Sequence, residues 1–178
     1  MMNNLKNQNG KTSIVLIIII VLIIGMATIL VRYLRGMIVV SKLQDLKTNM
    51  LIMQAETKKG LEKVCFQTAN LNKENEEDNA KIEQAKAENL IGIKLSDASE
   101  DVKESVSCLP QDVEIDDNCY YLDDETLEKI GIKDGHIIQY KYFIVKYDFT
   151  NTTAEIITTK GYNGNYTLTQ IIQLAKDE

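Results

Sequence analysis

The sequence predicts an α+β fold: a long N-terminal helix, one half suited to a membrane and the other to water, packed against a small antiparallel β-sheet. Three observations carry that expectation. A run of 19 residues without charge, Ser13–Val31, lies near the start of the chain. Apolar residues then recur at three- and four-residue spacing as far as Val64. Beyond His136 the pattern changes to β-branched and aromatic runs of the kind that form strands.

Residues 1–12 read as a short basic leader carrying Lys6 and Lys11. Residues 13–35 read as a transmembrane helix. Fourteen of the 19 uncharged residues are Ile, Leu or Val, and a helix of that length rises about 28 Å, close to a hydrocarbon core of about 30 Å. A cleaved secretory signal is the other reading, with Gly25-Met26-Ala27 as a small-x-small site. The apolar run continues through Ile29, Leu30 and Val31, which favours a retained helix. The expectation is therefore a single-pass protein of the cell membrane, with the lipid bilayer as its first partner. Arg32, Arg35 and Lys42 on the C-terminal side lean towards a cytoplasmic C-terminal part by the positive-inside rule.

Residues 36–69 continue the helix. Val39, Leu43, Leu46, Met50, Met53, Thr57, Gly60 and Val64 fall on one face. The stripe Val39, Leu43, Leu46, Met50, Met53 is either core, packed on the chain's own C-terminal part, or an assembly surface for other subunits. Thr57 and Gly60 weaken a long coiled coil. Residues 70–92 read as a polar link, Asn70–Asn79, followed by a short amphipathic helix ending near Gly92.

Residues 93–178 read as a small α+β domain. Ile93–Ser105 looks irregular, with room for a short helix. Cys119–Leu122 suits a strand, and "DDETLEKIGI" a short helix with an Asp cap and a Gly near its end. "HIIQYKYFIVKYDF" and "AEIITTKGY" read as a hairpin turning at Thr150–Thr153. Lys141, Phe143, Val145 and Tyr147 take one face of the first run, and Tyr140, Tyr142, Ile144 and Lys146 the other. "TLTQIIQLAKDE" closes the chain as a helix.

Charge is unevenly spread. Residues 1–44 hold five basic side chains and no acidic one, while residues 45–178 hold 15 basic and 26 acidic, a net −11. An acidic body argues against nucleic-acid binding, which needs a cationic surface. His136, the only histidine, has no Ser-His-Asp or Cys-His set around it in sequence, so the expectation is a protein without catalysis, cofactor, metal or small-molecule substrate. The acidic loop Asp112, Glu114, Asp116, Asp117 lacks the order of an EF-hand. Cys108 and Cys119 flank that loop and are either a disulfide pair, with Cys65 left over, or free thiols.

Lys6, Gly10, the apolar run Thr12–Val31, the helix to about Thr68 and the C-terminal hairpin together resemble the type IV pilin and pseudopilin group. The resemblance implies cleavage of a leader after Gly10, with Lys11 as the first mature residue. It implies an extracytoplasmic C-terminal domain and a structural role beside other pilin-like subunits in a bacterial surface or type II secretion assembly. The chain departs from the family at Lys11, where a large apolar residue is usual, and at Val15, where the family has Glu. An anchored binding, adaptor or sensory module that forms no filament is the alternative.

Overall fold

The computed structural model describes residues 5–72, 74–132 and 140–177, with side chains from Ile19 onward except at 35, 36, 39 and 177. The chain divides into two compact units, Met1–Lys42 and Leu43–Glu178. Helical backbone runs through Leu5–Thr68 (α1), so α1 contributes to both units.

The second unit is α+β. Its α1 residues Leu43, Leu46, Met50, Met53, Thr57, Leu61 and Val64 are all 0–1% exposed. Their three- and four-residue spacing puts them on one helix face. The polar residues between them stay outside, and Lys58 pairs with Glu62 one turn along. Burial of each large side chain in this row contributes about 1.5–3 kcal/mol.

A helix over Glu76–Asn89 (α2) follows. It begins earlier than the sequence suggests, because Asn75 caps it: the Asn75 side chain accepts from the Glu77 amide at 3.0 Å. Glu76, Glu77 and Asp78 then occupy the positive end of the helix. Strand β1 (Ile93–Lys94), a single 3₁₀ turn (Leu95–Asp97) and helix α3 (Glu100–Ser107) come next. Strand β2 (Cys119–Leu122) leads into helix α4 (Asp124–Lys129), capped by Asp123, which accepts from the Thr126 amide at 3.0 Å. Gly131 takes φ +86° just after it. Strands β3 (Phe143–Asp148), β4 (Thr153–Tyr162) and β5 (Asn165–Thr167) and helix α5 (Leu168–Asp177) complete the unit.

The five strands form one antiparallel sheet in sequence order, with Val145 opposite both Tyr120 and Ile156. One face brings Leu122, Phe143, Val145, Tyr147, Ala154 and Ile156 into a single core with the α1 row and with Leu168 and Ile171 of α5. The other face places Cys119, Ile144 and Ile157 with Val102 of α3, Ala98 and Val113. The two-residue alternation of β3 makes both layers possible. Strand β3 is shorter than the run "HIIQYKYFIVKYDF". Tyr140 lies outside the strand, Lys141 has φ +67°, and His136 lies outside the described residues.

The expected transmembrane helix over 13–35, and with it a single-pass, membrane-embedded location, is corrected here. Among the described residues no helix is long and apolar enough to cross a membrane. The expected side chains at Ser13–Ile18, the cleavage point Gly10–Lys11 and the stripe residue Val39 lie outside the described side chains.

Two contacts fix how α1, α2 and the sheet meet. Gly60 faces the Asn89 backbone at the end of α2 so closely that a Cβ would collide with the Asn89 carbonyl. The Tyr147 hydroxyl donates to the Ile91 carbonyl at 2.9 Å and accepts from the Ile91 amide at 3.1 Å, tying β3 to the segment after α2. Gly60→Ala should therefore destabilise the fold by about 1–3 kcal/mol, read as a lowered urea midpoint. Tyr147→Phe, which keeps the ring and leaves both Ile91 groups without this partner, should cost about 1–3 kcal/mol in the same measurement.

Candidate functional site

The second unit holds a cleft of about 600 Å³. Its walls come from the end of α1 (Val64, Cys65, Thr68), from α2 (Ile82, Lys86), and from the β2–β3–β4 side (Asp116, Asn118, Lys146, Asp148, Phe149). The volume falls within the range of small-molecule sites.

Polar groups in this cleft are arranged by local turns. Asp148 accepts from the amides of Thr150 and Asn151, at 2.9 and 3.0 Å, and from the Asn151 side chain. Those bonds, with the Asn151 amide contributing most, hold the Asp148 carboxyl below the ordinary carboxylate range. Asp148 is thus an anion committed to the β3–β4 turn. The Lys146 ammonium lies 3.2 Å from Glu114 and 3.5 Å from Asp116. Burial pulls its pKa down, but the Glu114 hydrogen bond and the charges of Asp116 and Glu114 outweigh that and raise it. Lys86 pairs with Glu83 at 2.7 Å and sits 5.1 Å from the centre of the Phe149 ring, a cation–π distance.

The acidic loop is therefore partly neutralised from within, by Lys146 from β3. Among the described residues no group of three or more His, Cys, Asp or Glu side chains could hold a metal ion.

Cys65, Cys108 and Cys119 are all free thiols: half-buried, exposed and buried respectively. The Cys108–Cys119 pair that the loop suggests is not joined. Cys119 points into the layer under α3, and its sulfur lies 3.5 Å from the Asp116 amide and 3.7 Å from the Asp116 carboxylate. Burial pushes the Cys119 thiol up to about 11. Cys65 faces the cleft, where its sulfur lies 3.8 Å from both the Phe149 carbonyl and the Thr152 hydroxyl.

Of the stripe Val39, Leu43, Leu46, Met50 and Met53, the last four are core of the second unit. Lys86, Phe149 and Cys65 are brought together without any motif to announce them. They stand in three separate segments, and only the closing of the sheet onto α1 and α2 makes them neighbours.

The first unit offers a different surface. Ile19, Ile20, Val21, Leu22, Ile23 and Ile24 are 47–62% exposed, and Met26, Ile29, Leu30, Val31 and Tyr33 are exposed as well. Six successive exposed residues place apolar side chains on every side of the helix.

A buried neutral thiol stabilises the folded state fully below the free thiol's pKa of 9.0, and that contribution disappears as pH rises towards about 11. The urea midpoint should hold steady below pH 9 and fall across that window, and Cys119→Ala should flatten part of the fall. In the same protein at neutral pH, Cys108 should react first with a thiol reagent, and Cys119 only on unfolding.

Comparison of the chain with protein-family models, with curated proteins and with solved structures finds no match.

Proposed function

We propose that this chain is a non-enzymatic structural subunit, similar to the pilin and pseudopilin group, that assembles through its N-terminal helix. In this reading α1 is one long helix with two tasks. Its first part packs among the same helices of neighbouring copies, and its second part, from Leu43, is the spine of the α+β unit.

The observation that carries the reading is the apolar surface of Ile19–Val31, exposed on all sides. A helix apolar on one side needs one partner face. A helix apolar all round needs cover all round, which several copies of the same segment supply. The composition agrees: no acidic residue precedes Asp45, so no carboxylate has to be desolvated when those helices meet. The second unit has already buried its own α1 row, which leaves assembly to the first.

The cleft between α1, α2 and the β3–β4 turn favours a second reading, a binding or adaptor module whose ligand lies among Cys65, Lys86 and Phe149.

Sedimentation of the full chain separates the two. The assembly reading expects particles many times the 20.2 kDa of one chain, and single chains once Ile23→Asp and Ile29→Asp are introduced together. An unaltered chain that stays single at every concentration would sink it. Protein from its native cells is expected to lack its first ten residues by intact mass, as the pilin likeness implies.

A further inference from the structure

The β4–β5 connection carries a chemical liability that the assembly reading does not use. Tyr162 pairs with Asn165, so Asn163 and Gly164 alone make the turn. Both have positive φ, +49° and +78°, the left-handed pair that a two-residue hairpin requires and that Asn-Gly supplies. Both are exposed, and the space where a Gly164 Cβ would stand is empty to 4 Å. The Asn163 carbonyl accepts from the Asn165 side chain at 3.1 Å. No hydrogen bond holds the Asn163 side-chain amide among the described residues.

We propose that Asn163 is a site of spontaneous deamidation, and that its conversion to isoaspartate releases β5 and α5 from the core. The Gly164 amide nitrogen attacks Cγ of Asn163. The N–Cγ bond forms, the Cγ–Nδ2 bond breaks, and ammonia leaves with the amide proton. Solvent water then opens the resulting succinimide. Addition at the side-chain carbonyl gives an ordinary aspartate; addition at the main-chain carbonyl gives isoaspartate. No oxidant or reductant takes part. Glycine at 164 matters because it has no side chain to hinder the attacking nitrogen.

The consequence follows from how β5 is tied to α5: the Tyr166 and Thr167 amides donate to the Gln170 side chain at 2.8 and 3.1 Å. Isoaspartate routes the chain through Cβ and lengthens a two-residue turn by one backbone atom. Strand β5 has only three residues, Asn165–Thr167, and its pairing with β4 is already irregular between Ile157 and Tyr162, so an added backbone atom at the turn displaces the whole strand. The next residue, Leu168, is a core side chain, as is Ile171. A shifted β5 therefore draws α5 away from Phe143, Ile156 and the α1 row.

The test ages the full chain at mildly alkaline pH, folded and, in parallel, unfolded in urea, and maps peptides for isoaspartate at position 163. Hydrogen exchange of the α5 amides is followed on the same folded samples. Isoaspartate should accumulate there in the folded chain, and the converted fraction should exchange its α5 amides at least tenfold faster. Asn163→Gly keeps the turn and removes the amide, so it should age without change. Asn163→Asp adds the charge but keeps the normal backbone, so it should exchange like the unaged protein. Asn163 still intact in the folded chain when the unfolded chain has converted would overturn the proposal. So would converted protein whose α5 exchanges as slowly as before.

Discussion

Burial of one face of α1 against one face of the sheet is the constraint from which the remaining elements of the second unit follow. The buried row from Leu43 to Val64 extends about 32 Å along the helix, whereas the six residues of β3 cover about 20 Å. A sheet of that size cannot hide the whole row. Helix α2 covers one end, with Ile82 and Ala85 turned inward, and its approach is set by the absence of a side chain at Gly60. Helix α5 adds Leu168 and Ile171 to the same core. Two polar side chains that cross this layering are paired, while the Tyr140 hydroxyl in the same core has no hydrogen-bond partner among the described residues. Gln54 donates to the Ala154 carbonyl at 2.7 Å, and Thr57 returns its hydroxyl to the Met53 carbonyl of its own helix at 2.8 Å.

Much of this architecture was legible because it rests on periodicity. The spacing of Leu43, Leu46, Met50 and Met53 is a helix face whatever covers it, and the alternation Phe143, Val145, Tyr147 against Ile144 is a strand with two covered sides. Caps were legible where one side chain does the work, as at Asp123. Strand β5 was not, since three residues carry no measurable alternation; the Asn163-Gly164 pair was the only local sign of a hairpin there. The start of α2 was missed for a related reason. The segment from Asn75 to Asp78 reads as solvated link by composition, yet an Asn cap followed by three acidic residues is also how a helix begins. The membrane reading came from the length of an uncharged run, whereas among the described residues no helix is long and apolar enough to cross a membrane.

The cleft was beyond the reach of sequence altogether. Nothing in the spacing of Cys65, Lys86 and Phe149 links them, since their proximity is a product of three separate packing events: the end of α1, the docking of α2, and the turn that Asp148 ties. The acidic loop misled in the opposite direction. Its carboxylates look available in sequence, but Lys146 arrives from β3 to sit among them, and Asp116 is further engaged with Asn118 and Cys119. A sequence exposes charges; the fold decides which of them are already answered.

The distribution of charge gives the two units opposite tendencies. Residues 97–128 hold twelve acidic side chains and a single lysine, while the other residues of 45–178 hold fourteen of each sign. The whole net charge of that body therefore belongs to the segment formed by α3, the acidic loop, β2 and α4. Surfaces of one sign repel their copies over a Debye length of about 8 Å at physiological salt, so this side of the second unit resists self-association. The first unit has no carboxylate, and its described apolar side chains are exposed. In the proposed assembly, repulsion on one unit and exposed apolar surface on the other favour contacts between copies through the helix before Lys42.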